Sequence, residues 1–168
     1  MAVRSILIYP DPLLKQAAAP VAEFDASVVD LIEDLVDTMQ AAGHSVGIAA
    51  PQLGDLRRVA VVDVSVSKLG QQQHNHGLLE MVNPVIIEHS GSRVFREGCM
   101  SVPEYTGNVT RAEHIVVEFT TRQGRLRVVE SSGFEAVAIQ HELDHLDGLL
   151  FLDRVSNLKS DVFRRKLR

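Results

Sequence analysis

The stretch "AVAIQHELDHLDG" at residues 136–148 decides how the rest of the chain is read. On a helical period of about 3.6 residues, His141 and His145 fall one turn apart on one face, close enough for both imidazoles to hold a single ion. Glu142 stands about 100° round the axis from His141, near such an ion but aimed elsewhere. H-E-x-x-H on a helix is a specific motif because each letter has a task. Two neutral imidazoles bind a divalent metal, and the glutamate acts as general base on metal-bound water. Phe134, Val137 and Ala138 lie seven, four and three residues before His141, so the face that carries the histidines is otherwise apolar. Ser132 with Glu135 predicts a capping box at the start of this helix, and Gly148 predicts its stop at the C′ position.

A catalytic metal site needs a third protein ligand and an open position. In the long protease motif a third histidine follows the glycine, but here Phe151 occupies that place. Asp153 and Asp161 stand downstream at no familiar ligand spacing. Cys99, in "FREGCMSVPEY" (95–105), is the remaining candidate: Gly98 allows close backbone approach, and a thiolate with two imidazoles suits zinc, iron(II) or cobalt(II). A third stretch, "GHSVGIAAPQLG" (43–54), reads either as a plain turn or as a tight segment that presents Gln52 as a neutral donor to a carbonyl oxygen.

Elsewhere the pattern is that of an ordinary folded chain. "PDPLL" near the start suits one helical turn with Asp11 capping and Pro12 at the first helical position. From Asp25 to Ala42, Val28, Leu31, Ile32, Leu35, Val36 and Met39 form one apolar stripe, and Gly43 follows as a stop. "RRVAVVDV", "LLEMVNPVIIEHS" and "HIVVEFTTRQGRLRVVE" read as strands, with a hairpin turn at Gly124. "KLGQQQHNHG" (68–77) reads as a polar surface loop, its His74-x-His76 pair included.

The 168 residues suit a single domain, 1–168. A net charge of −5 gives no basic footprint for sequence-specific nucleic-acid binding, and no apolar run is long enough to cross a membrane. The opening residues break at Pro10 and Pro12 and do not read as a signal peptide, so a cytoplasmic protein is expected. One cysteine excludes an internal disulfide.

Taken in order, "VGIAAPQ" (46–52), "EGCMS" (97–101) and "QHELDH" (140–145) resemble the three signature motifs of the peptide deformylase family. The likeness extends to "ILIYPDPLL" (6–14) and "LDGLLFLDRVS" (146–156). It implies an α+β fold with mixed and antiparallel strands wrapped around a central H-E-x-x-H helix. It also implies hydrolysis of the formyl group from the N-terminal formyl-methionine of nascent polypeptides, releasing formate. By the same resemblance Cys99, His141 and His145 hold one divalent ion, typically iron(II), with zinc, nickel or cobalt as substitutes. Glu142 takes the proton of the metal-bound water and delivers it to the leaving amine. The Gln52 side chain and the Met100 N–H stabilise the oxyanion. Gly47 and Gly98 pair with the substrate backbone, and Val46, Phe95, Phe134, Val137 and Ala138 receive the methionine side chain.

Two departures stand out. The family's first motif usually begins Gly-x-Gly-Leu, whereas here Ser45-Val46-Gly47-Ile48 stands; a positive φ at Ser45 would cost roughly 1–2 kcal/mol. Met100 replaces the usual leucine. The basic tail, about 156–168, is expected as a C-terminal helix that could dock on the ribosome. Two rival readings exist. A metalloendopeptidase would leave "EGCMS" without a role, and a non-catalytic metal- or peptide-binding member would be expected to lack Glu142 or Gln52.

Overall fold

The computed structural model describes residues 2–165. After one 3₁₀ turn at Pro12–Lys15, capped by Asp11 as expected, helix α1 runs from Ala26 to Ala41. Its buried residues Val28, Leu31, Ile32, Leu35 and Met39 are the predicted stripe. Strands β1 (Gly47–Ala49) and β2 (Val59–Val62) follow, then a single helical turn α2 (Lys68–Gln71). Next come β3 (Leu79–Ser90), β4 (Arg93–Cys99), β5 (Val102–Arg111), β6 (His114–Thr120) and β7 (Leu126–Ser132). Helix α3 (Gly133–Leu146) carries the H-E-x-x-H motif, and β8 (Val162–Arg164) comes last.

The strands form two sheets with antiparallel pairing throughout, β1-β2-β3-β6-β7 and β4-β5-β8. Period-two alternation explains how β2 of the larger sheet is covered on both faces. On β2, Val59 and Val61 pack with Leu31, Leu35 and Met39 of α1, while Ala60 and Val62 pack with Ile139, Leu143 and Leu146 of α3. A strand enclosed between two helices has no polar face, which is why "VAVV" is a continuous apolar run. Helix α3 is buried nearly all round because sheet, chain ends and the smaller sheet enclose it. A third cluster, with Leu14, Val102, Val109, Leu150 and Phe151, seats the smaller sheet beside Cys99.

Three expectations need correction. Ser132 makes no capping bond: it is the last residue of β7, and its hydroxyl lies 2.5 Å from His114 Nδ1. Gly133, at φ +64°, turns the chain straight from strand into helix; its N–H goes to the Glu113 carbonyl, and the first turn is held by a distant loop. Gln73 accepts from Phe134 N–H at 2.9 Å, while the Glu135 carboxylate accepts from His76 N–H and from Ser131, with His76 Nδ1 at 2.6 Å. Residues 68–77 are therefore tied to the first turn of α3 through Gln73 and His76 and are not a free surface loop. Third, the C-terminal helix expected over about 156–168 is absent from the described residues. Backbone pairing with β5, from Gly107↔Val162 to Tyr105↔Arg164, draws the segment into a strand, and residues 166–168 lie outside the described residues.

The expected stop at Gly148 holds. Its φ is +76°, and the Leu149 N–H reaches back to the Asp144 carbonyl at 2.8 Å, closing the last turn. A Cβ at 148 would stand 2.7 Å from the Lys15 carbonyl oxygen, which is fixed backbone. Gly148→Ala is expected to destabilise the chain by about 2 kcal/mol; a urea midpoint equal to that of the parent would contradict this.

Candidate active site

Three elements bring the donors together. The helix supplies His141 and His145, with ring centroids 5.1 Å apart. Cys99 ends β4, where the register slips between Gly98↔Thr106 and Cys99↔Val102 and re-aims the strand end. Its Sγ lies 3.3 Å from His145 Nε2, and the ligand atoms of Cys99, His141 and His145 all fall within 4.8 Å of one another. The third element is the 3₁₀ turn Ala50–Leu53 after β1. There Gln52 Oε1 accepts from Ala49 N–H at 2.9 Å, which leaves Nε2 to donate toward Ser101 Oγ at 3.1 Å and Cys99 Sγ at 3.6 Å.

Glu142 is buried beside these groups, and its Oε1 has no partner among the described residues. A Cβ on Gly47 would stand 2.6 Å from Glu142 Oε2, so glycine at 47 is what lets the carboxylate lie against β1. Ser45 carries no strain, because Asn83 is the only described non-glycine residue with positive φ. The Ser45 hydroxyl instead donates to the Gly47 carbonyl at 2.9 Å. From Cys99 and His141 a cleft of about 540 Å³ opens to the surface. Val46, Phe95, Phe134, Val137 and Ala138 line it together with Gly47, Gln52, Gly98, Met100 and Glu142, so the expected cleft residues do converge on one place.

The two buried imidazoles are driven in opposite directions. Burial by itself would lower the pKa of His141, yet Cys99 and Glu97 bonded to its ring and the charge of Glu142 hold it well above the ordinary value. His145, equally buried and repelled by the charges of His141 and Arg111, is driven well below it. A buried thiol with two imidazoles, their ligand atoms within 4.8 Å of one another, is a donor set for a divalent transition metal. The residues present therefore fit one such ion.

What the sequence pattern missed is the support behind the histidines. Glu97 Oε1 lies 2.8 Å from His141 Nδ1, fixing the ring, and its two oxygens accept from Arg111 Nε and Nη2 at 2.8 and 2.9 Å. Arg111 also donates to Asp144 at 2.5 Å, and Arg154 grips the same carboxylate. Glu97, Arg111 and Asp144 are all buried. Burial works to raise the Glu97 pKa, but the Arg111 and His141 bonds outweigh it and hold it below the usual range. The available signal was Asp144 itself, an acid inside H-E-L-D-H on a helix too apolar to leave it unpaired.

A thiol, two imidazoles and a poised carboxylate at the closed end of an apolar cleft make up a metal-dependent hydrolase site. The comparisons with known proteins narrow that class. The model of the polypeptide deformylase family matches residues 3–161. Peptide deformylase from Syntrophobacter fumaroxidans is 42% identical over 166 residues, covering 99% of this chain and 94% of that one. The enzyme from Heliobacterium modesticaldum is 45% identical over 157 residues, covering 94% and 97%. Among solved structures, the Thermotoga maritima deformylase aligns with a TM-score of 0.83 at 34% identity, covering 94% of this chain and all of that one. The Met-Ala-Ser-bound deformylase from Acinetobacter baumannii aligns at 0.85 with 35% identity, covering 92% and 99%. The chain belongs to the polypeptide deformylase family.

If Glu97 sets the His141 ring, Glu97→Gln is expected to weaken metal affinity roughly ten- to hundredfold with the fold retained. Chelator competition measures this; an unchanged affinity would remove Glu97 from the site.

Proposed function

We propose that the chain removes the formyl group from the N-terminal formyl-methionine of nascent polypeptides with Glu142 moving the proton and Cys99, His141 and His145 holding one divalent ion. The activity is that of the family. The assignment of roles rests on one observation above all: the buried Glu142 carboxylate keeps an unpartnered oxygen beside the three donors, at the closed end of the cleft.

When bound, the ion supplies Lewis acidity, lowering the pKa of water and polarising the formyl carbonyl. Glu142 Oε1 accepts a proton from the attacking water as the oxygen joins the formyl carbon. The same carboxyl then gives that proton to the methionine nitrogen as the C–N bond breaks, leaving formate and a free amine. Gln52 Nε2, its amide oriented by Ala49, and the Met100 N–H donate to the oxygen that gains charge. Gly47 and Gly98 belong to β1 and β4, outer strands of their sheets on either side of the cleft, and an extended substrate can add to both. Val46, Phe95, Phe134, Val137 and Ala138 enclose its methionine side chain. That the A. baumannii relative was solved with Met-Ala-Ser bound supports a peptide that begins with methionine as the ligand.

Iron(II) is the ion we assign, with zinc, nickel or cobalt as functional substitutes, because a thiolate with two imidazoles accepts each of them. Nascent chains place the reaction in the cytoplasm. No helix among the described residues is long and apolar enough to cross a membrane. A ribosome contact through the basic tail would use Lys159 and Arg164, exposed on a turn and a strand rather than on a helix.

Formate release from formyl-Met-Ala-Ser by anaerobically purified protein is the test. Rapid turnover that decays in air, with roughly one iron per chain, is expected; a full metal complement without turnover would overturn the reading. Glu142→Ala should keep the metal and lose turnover at least about 100-fold, and surviving turnover would leave the base unassigned. Burial raises the Glu142 carboxyl to about 7 against the lowering charge of His141, and a cation at the three donors lowers it further. Only the ionised form accepts a proton, so kcat/KM is expected to fall on an acid limb that lies below pH 7 in the metal-loaded enzyme. A profile flat between about pH 8 and pH 4 would contradict this role.

A further inference from the structure

Two guanidinium groups line the cleft with no carboxylate partner among the described residues, those of Arg96 and Arg165. The arginines that brace the fold are different: Arg57, Arg58, Arg111, Arg122 and Arg154 each hold an acid. The guanidinium of Arg96 lies over the Phe163 ring, 3.6 Å from its centroid. That of Arg165 lies against Gly98, where a Cβ would stand 2.2 Å from its Nη2 and displace it. The short strand β8 places both. Thr106 pairs with Gly98 on one side and Phe163 on the other, making a row across the smaller sheet. Arg96 and Gly98, two residues apart on β4, are exposed, whereas Glu97 and Cys99 between and beyond them turn inward. The result is a cationic shelf on the outer face of an edge strand, in a chain whose net charge is −5.

We propose that this shelf selects the residue after the formyl-methionine and favours an acidic side chain there. The inference rests on the substrate lying extended along β4, as in the reading above. Successive side chains of an extended peptide point to opposite faces. With the methionine turned inward to Phe95 and Phe134, the second residue turns outward to Gly98, between Arg96 and Arg165. A carboxylate fits a guanidinium fork with two parallel hydrogen bonds. Within the cleft no competing anion reaches the shelf: Glu97 is tied to Arg111, and Glu142 stands at the closed end.

The test compares kcat/KM for formyl-Met-Asp-Ser, formyl-Met-Asn-Ser and formyl-Met-Lys-Ser on the metal-loaded enzyme. At low salt Asp should exceed its neutral isostere roughly fivefold, the upper range of an exposed ion pair, with Lys below both, and high salt should flatten the series. Arg165→Glu should invert the order, placing Lys above Asp. Because each result is a ratio within one protein, general damage from the substitution cancels. Equal rates for Asp and Asn in the parent, or an order unmoved by Arg165→Glu, would overturn the proposal while leaving the deformylase roles intact. An equal preference with the acid moved to the third position, in formyl-Met-Ser-Asp, would overturn the register. Failure of every formyl peptide would instead overturn the roles beneath it.

Discussion

The guanidinium of Arg111, at the end of β5, joins β4 through Glu97 and helix α3 through Asp144, and Glu97 in turn holds the His141 ring. The smaller sheet and helix α3 are thereby referred to one buried point. Such a network is weak evidence for stability, since taking its charges out of water costs nearly what their attraction returns. Its value here is orientation. Any rotation of α3 against β4 would leave a charged group alone in the interior, a penalty of about 3–5 kcal/mol. The histidines and Cys99 arrive on different elements, so their mutual distance is only as well defined as this tie. The Arg111 pKa is held above its ordinary value and that of Glu97 below, so the charges persist across the working range of pH.

Much of this was legible in the sequence, and the reason is locality. The stripe of α1, the apolar run of β2, the hairpin at Gly124 and the stop at Gly148 are each set by neighbours within a few residues. The clustering of the three candidate donors was legible because H-E-x-x-H is itself local, and because a single cysteine left little choice for the third member. The failures share the opposite property. Gln73 and His76 cap α3 from about sixty residues away in the chain, and no spacing rule connects them to Phe134 or Glu135. The local capping signal at Ser132 was real but was overridden, because β7 runs into the helix without a loop. Likewise the basic tail has helix-compatible residues, yet an unfilled edge of β5 recruited it as β8.

The site also shows how two sheets divide the labour. The larger one, covered by α3 on one face and, at β1 and β2, by α1 on the other, gives the platform on which the histidines stand. The smaller one brings the thiol and leaves β4 as an outer strand beside the cleft. A peptide that added to such an edge would be aligned by its backbone, which reads little of the side-chain sequence. Discrimination must then come from side chains that overhang the edge.

The seat of Gln73 and His76 on the start of α3 has a consequence for engineering the molecule. Judged by composition, "KLGQQQHNHG" is where one would splice an epitope, a linker or a circular-permutation break. Here the length of that segment is locked, because Gln73 and His76 must reach the first helical turn together, the turn that carries Phe134 into the cleft wall. Added residues would not dangle in solvent; they would slacken the wall itself. The hairpin tip at Gly124, with open space around it, is the better point of entry.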